Sequence, residues 1–70
     1  MKEWIIRDVT KPYYNLAIIK ANSNIEALKA FQERNPNYLS NGIIKPFRGT
    51  QAIFFGYNGI IEAWEHTSLF

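Results

Sequence analysis

The chain has no cysteine, one histidine (His66) and one methionine (Met1) in 70 residues. Without thiols there is neither a disulfide framework nor a thiolate metal site. A zinc centre would need carboxylates for nearly all its ligands, against the usual nitrogen and sulfur sets. No apolar segment approaches the ~18 residues that a membrane-crossing helix needs. The apolar stretch after Met1 is also far too short for the hydrophobic region of a signal peptide, so the expectation is a cytoplasmic protein with no membrane partner. Glycine is sparse, and Gly42, Gly49, Gly56 and Gly59 lack the spacing of a phosphate-cradling loop ahead of a helix. Charge of either sign is thin: eight basic and six acidic residues give +2, with no basic run of the kind that marks a nucleic-acid arm.

Catalytic constellations are missing as well. Glu62 and Glu65 flank Trp64, but on a strand they point to opposite faces and cannot act together as an acid and base. No base–nucleophile pair is legible elsewhere. The expectation is a protein that is not an enzyme, with no catalytic residues, no cofactor and no metal.

Aromatic side chains are what the chain does have: 16% Phe, Trp and Tyr, a large apolar contribution per residue for a domain at the lower limit of self-sufficient size. Residues 1–70 read as one small α+β domain. Its sheet is mainly antiparallel and four- to five-stranded, in the chain order β-β-α-β-β-β, with one helix packed on one face. Glu3 to Val9 and Tyr13 or Tyr14 to Ala21 are short β-rich runs separated by Thr10-Lys11-Pro12, where proline cannot join a ladder, so they pair as a hairpin with a loop of about 4 to 5 residues. Ser23 followed by Glu26 fits a capping box in which the serine oxygen accepts from the Glu26 N–H and the carboxylate reaches back to Ser23. The helix then runs to Asn35-Pro36, with Ile25, Leu28 and Phe31 beside Ala27 as its apolar stripe. Asn37 to Gly42 reads as a loop, and Ile43-Ile44-Lys45 as a short strand that Pro46 confines to an edge.

Asn58-Gly59 is the strongest local signal, since both residues tolerate the positive φ of a two-residue type I′ turn. That turn places Phe55 opposite Glu62 and Ile53 opposite Trp64. One face then carries Ile53, Phe55, Tyr57, Ile60 and Trp64, interrupted by Glu62; the other carries Ala52, Phe54, Gly56, Ile61 and Ala63. One helix covers one sheet face. The smaller side chains of the second set would admit it closely, and Gly56 within the strand suggests a bulge or a close helix backbone. Ile53, Phe55, Tyr57, Glu62 and Trp64 are therefore the expected binding surface.

Two functions follow from an uncovered sheet face. The first is a protein–protein interaction module that self-associates as a homodimer through that face. In architecture it resembles small phage and mobile-element proteins that bind and modulate a host protein, and the abundance of Ile and Asn suggests an AT-rich coding source. The second is a small nucleic-acid binder that uses exposed rings with Lys45, Phe47 and Arg48. Arg48-Gly49-Thr50-Gln51-Ala52-Ile53-Phe54-Phe55 loosely resembles the ribonucleoprotein signature of RNA-recognition motifs. Thr50 and Ala52 stand where that signature has aromatics, and one helical segment stands where that fold needs two.

Overall fold

The computed structural model describes residues 1–9, 14–57 and 59–66. Five strands form one antiparallel sheet in the spatial order β2-β1-β5-β4-β3, from β1 (Lys2–Asp8), β2 (Tyr14–Ala21), β3 (Ile43–Phe47), β4 (Thr50–Phe55) and β5 (Gly59–Glu65). A helix, α1 (Asn24–Arg34), packs on one face. The expected chain order holds, with five strands. The last strand enters the middle of the sheet between β1 and β4, so the N- and C-terminal strands close the core together. The β1–β2 loop expected around Pro12 falls at residues 10–13, outside the described residues.

α1 begins where its cap dictates. Ser23 has extended backbone (φ −150°, ψ 165°), and its Oγ accepts from the Glu26 N–H at 3.2 Å. The return bond of the box is displaced by one residue: the Glu26 carboxylate accepts from the N–H of Asn22 at 3.1 Å, not of Ser23. Ala27, Leu28 and Phe31 are buried, at the i, i+1, i+4 spacing of one helical stripe. Ile25, expected in that stripe, is 38% exposed instead. The connection after α1 is also more ordered than its polar sequence suggests. It holds a one-turn helix, α2 (Pro36–Leu39), whose Leu39 is fully buried. Gln32 ties this turn down, its Nε2 donating to the carbonyls of Leu39 (3.1 Å) and Gly42 (2.9 Å). Gly42 is required by space: a Cβ there would sit 2.7 Å from Ile53 Cγ2.

Register is where the sequence reading is corrected. Phe55 pairs with Gly59, Phe54 with Ile60, Ile53 with Ile61 and Ala52 with Glu62. Gly59 is the first residue of β5, paired with Phe55, and Gly56 takes a positive φ of +55°. With Gly59 in the ladder, the expected two-residue turn at Asn58-Gly59 is not the connection between β4 and β5; Asn58 itself falls outside the described residues. Gly56 belongs to this connection, with nothing within 4 Å of where its Cβ would stand, so it neither forms a bulge nor receives the helix. The two-residue turn with both central φ values positive occurs one hairpin earlier, at Arg48 (φ 51°) and Gly49 (φ 81°), joining β3 to β4. An odd change of register exchanges the partners between faces. Ile53 and Phe55 consequently share the helix-covered face with Ile61 and Ala63, packed around Ile6, Ile19 and Leu28. Ala52 and Phe54, expected beneath the helix, lie on the opposite face with Glu62 and Trp64.

Candidate binding face of the sheet

The face turned away from α1 is built from cross-strand rows. Lys45, Ala52, Glu62, Arg7 and Asn15 stand side by side from β3 to β2. On one side of this row Ile43, Phe54 and Ile60 are aligned. On the other, Phe47 pairs with Thr50, while Trp64, Ile5 and Ile18 form a line across β5, β1 and β2. Pro46 stands in β3, an edge strand, as a residue with no N–H to donate must.

Glu62 is the centre of this face and its most unusual residue. It is 2% exposed, the one buried charged residue among those described. A buried carboxylate persists only when its lone pairs are used, and here they are. The Trp64 indole Nε1 donates to Oε1 at 2.9 Å, and the Arg48 guanidinium to Oε2 at 3.2 Å. Ala52 beside it is small and fully buried, which leaves room for the larger side chains to close over the carboxylate. The expected interruption of an aromatic row is thus an anchor.

Around the anchor, cations lie on rings. The Arg48 guanidinium is 4.5 Å from the Phe47 ring centroid, the Lys45 ammonium 4.6 Å from that of Phe54, and the Arg7 guanidinium 5.3 Å from that of Trp64. Phe47 and Phe54 meet edge to face at 5.3 Å. All three cations lie within the ~6 Å at which a ring face attracts a cation, which gathers charge and aromatic surface on this one face. With Lys20, the described residues of the face carry four cations against the carboxylates of Glu3 and Glu62, and Glu62 is already neutralised by Arg48.

Of the expected surface, the structure brings together Glu62 and Trp64, and joins to them Lys45, Phe47 and Arg48 of the second functional reading. It separates off Ile53, which is fully buried, and Phe55, which packs against the core and meets Tyr38 edge to face at 5.3 Å. Tyr57 is 95% exposed in the β4–β5 connection, beyond the strands. Arg7, Phe54 and Ala52 were missed because the slipped register hid which residues neighbour Glu62. Partial burial, and secondarily the Asp8 carboxylate, push the Tyr38 phenol above its ordinary pKa.

At one end of the face β5 runs past the end of its pairing with β4 and a pocket of about 450 Å³ opens, lined by Trp4, Arg48, Thr50, Glu62, Ala63, Trp64 and Glu65. Asn24, at the start of α1, donates from Nδ2 to Thr50 Oγ1 at 2.6 Å and fixes the pocket's β4 wall. Among the described residues no three His, Asp or Glu side chains are grouped as metal ligands, and no helix is long and apolar enough to cross a membrane. The chain matches no family model, no curated protein and no solved structure.

Proposed function

We propose that the chain is a non-enzymatic binding module that takes single-stranded nucleic acid on the open face of its sheet. The observation that carries this reading is the set of three cation–ring pairs around Glu62. Non-specific single-strand binders combine a positive track for phosphates with aromatic faces and guanidinium planes on which bases stack. This face offers both, and charge complementarity favours a polyanion over a second copy, because two such faces apposed would bring like charges together. The test is fluorescence anisotropy with a labelled octathymidylate strand at low ionic strength. Trp64→Ala should weaken binding about tenfold, the usual worth of one stacked base being ~1–3 kcal/mol. Lys45→Glu combined with Arg7→Glu should abolish it. Absence of binding by the folded wild type at low salt would refute the reading.

A second reading rests on a different observation. Ile18 (57% exposed) and Ile43 (64% exposed) stand on the two edge strands of the same face, where apolar side chains suit a protein partner. A phage or mobile-element product that modulates a host protein in the cytoplasm would use such a face, and so would a homodimer. Sedimentation velocity separates them: a dimer that Ile18→Lys dissociates without unfolding would favour self-association over the nucleic-acid reading.

A further inference from the structure

The pocket at the end of β5 adds Trp4, Thr50 and Glu65 to the Arg48 and Trp64 that single-strand binding by the open face already uses. β4 pairs with β5 only as far as Ala52↔Glu62, whereas β5 continues to Glu65 along β1. The Val9 N–H donates to the Ile60 carbonyl and the His66 N–H to the Glu3 carbonyl. These bonds turn the even-numbered backbone groups of β5 toward β1, so Glu65, beyond the last pair with β4, presents its own to the side where β4 has departed. The walls add two indoles, the Thr50 hydroxyl, the Arg48 guanidinium and the carboxylates of Glu62 and Glu65.

Opposite charges in one cavity largely cancel and give a simple ion of either sign little net attraction. They suit a flat group that carries donors on one edge and acceptors on another, and the volume is within the range of small-ligand pockets. Both Glu62 oxygens already accept, from Trp64 and Arg48. Among the described residues the Glu65 carboxylate is held by an exposed ion pair to Lys2 at 3.5 Å, a contact of little worth that a ligand can displace. Trp4 is fixed as a wall by its Nε1 bond to the Ala21 carbonyl at 3.0 Å. Among the bases, guanine places two N–H donors side by side, the complement of a carboxylate, and its O6 and N7 are the pair that arginine reads.

We infer that this pocket holds one base of the bound strand and selects guanine, with Glu65 accepting from the base's N1–H and N2–H and Arg48 donating to its acceptor edge. The inference rests on the nucleic-acid reading above. Its test compares, by anisotropy, octathymidylate with the same strand carrying one dG, one dA or one dC, on the wild type and on Glu65→Gln, with circular dichroism to confirm folding. The dG strand should bind the wild type about 5- to 150-fold tighter than octathymidylate, the usual range for one good bidentate base contact (~1–3 kcal/mol). On Glu65→Gln the dG strand should bind like octathymidylate. Equal binding of all four strands by the wild type, or a dG preference that survives in Glu65→Gln, would overturn the pocket assignment while leaving strand binding in place. Failure of every strand to bind would overturn both.

Discussion

Arg48 performs two opposed tasks, and separating them tests the geometry at the centre of the open face. Its guanidinium is the charged partner of a carboxylate that is 2% exposed, while its own backbone holds φ at +51°, a value that favours glycine. Removing one partner of a fully buried ion pair costs about 3–5 kcal/mol. The Arg48 side chain is 62% exposed, so water takes over part of its role and the expected cost of Arg48→Ala falls to about 1.5–2 kcal/mol. Arg48→Gly loses the same ion pair but relieves a left-handed backbone, which returns about 1 kcal/mol. The glycine variant should therefore be the more stable of the two. Urea unfolding followed by tryptophan fluorescence measures both, since Trp64 bonds the same carboxylate. In thermal melts Arg48→Ala should lie roughly 6–16 °C below wild type, at about 4–8 °C per kcal/mol for a domain of this size. In the Arg48→Ala background Glu62→Gln should cost less than it does in wild type, because the charge it removes is no longer paired. An Arg48→Ala variant as stable as wild type, or an Arg48→Gly variant less stable than Arg48→Ala, would refute the reasoning.

The remaining predictions concern the helix side of the sheet and the alkaline range. Ile53→Ala should destabilise by about 2–5 kcal/mol, as truncation of a fully buried aliphatic does, while Tyr57→Ala should stay within about 0.5 kcal/mol of wild type; denaturant midpoints decide, and similar values for the two would contradict the register. Tyr38 has a raised pKa in the folded state, so the native protein keeps a proton that the unfolded chain gives up. The stability this supplies is complete below the unfolded phenol's pKa near 10 and is lost as pH rises through the folded value. Tyr38→Phe should show a shallower alkaline decline in melting temperature, and an unchanged slope would count against it.

Local chemistry was the legible part of this chain. The Ser23 cap, the Asn35-Pro36 stop, the edge placement of Pro46 and the strand order along the chain all follow from side-chain and backbone preferences within a few residues. The register of β4 and β5 does not. Asn-Gly is the best short-range signal for a two-residue turn, yet Gly56 can also take positive φ, and the pairing is settled by which side chains the helix buries. The wrong turn moved Ile53 and Phe55 to the open face and hid Phe54 and Arg7 from it. The two-residue turn formed at Arg48-Gly49 although arginine is a poor first residue for it; the bond to Glu62 and the Phe47 ring compensate across the sheet. Leu39 was hidden by polar neighbours and becomes core only because Gln32 bonds the turn that carries it. Of the open face, Glu62 was conspicuous as a charge among rings. That it is buried and gathers Arg48 and Trp64 depends on long-range pairing that no local spacing encodes.

Salt dependence of octathymidylate binding tests the central claim most directly. With Arg48 engaged by Glu62, the other three cations, Arg7, Lys20 and Lys45, should give a slope of log affinity against log salt of about −2, at ~0.7 per phosphate neutralised. Charge reversal at Lys45 should make that slope shallower. Binding that is absent at low salt, or affinity that does not change with salt, would contradict the assignment of the open face to a polyanionic strand.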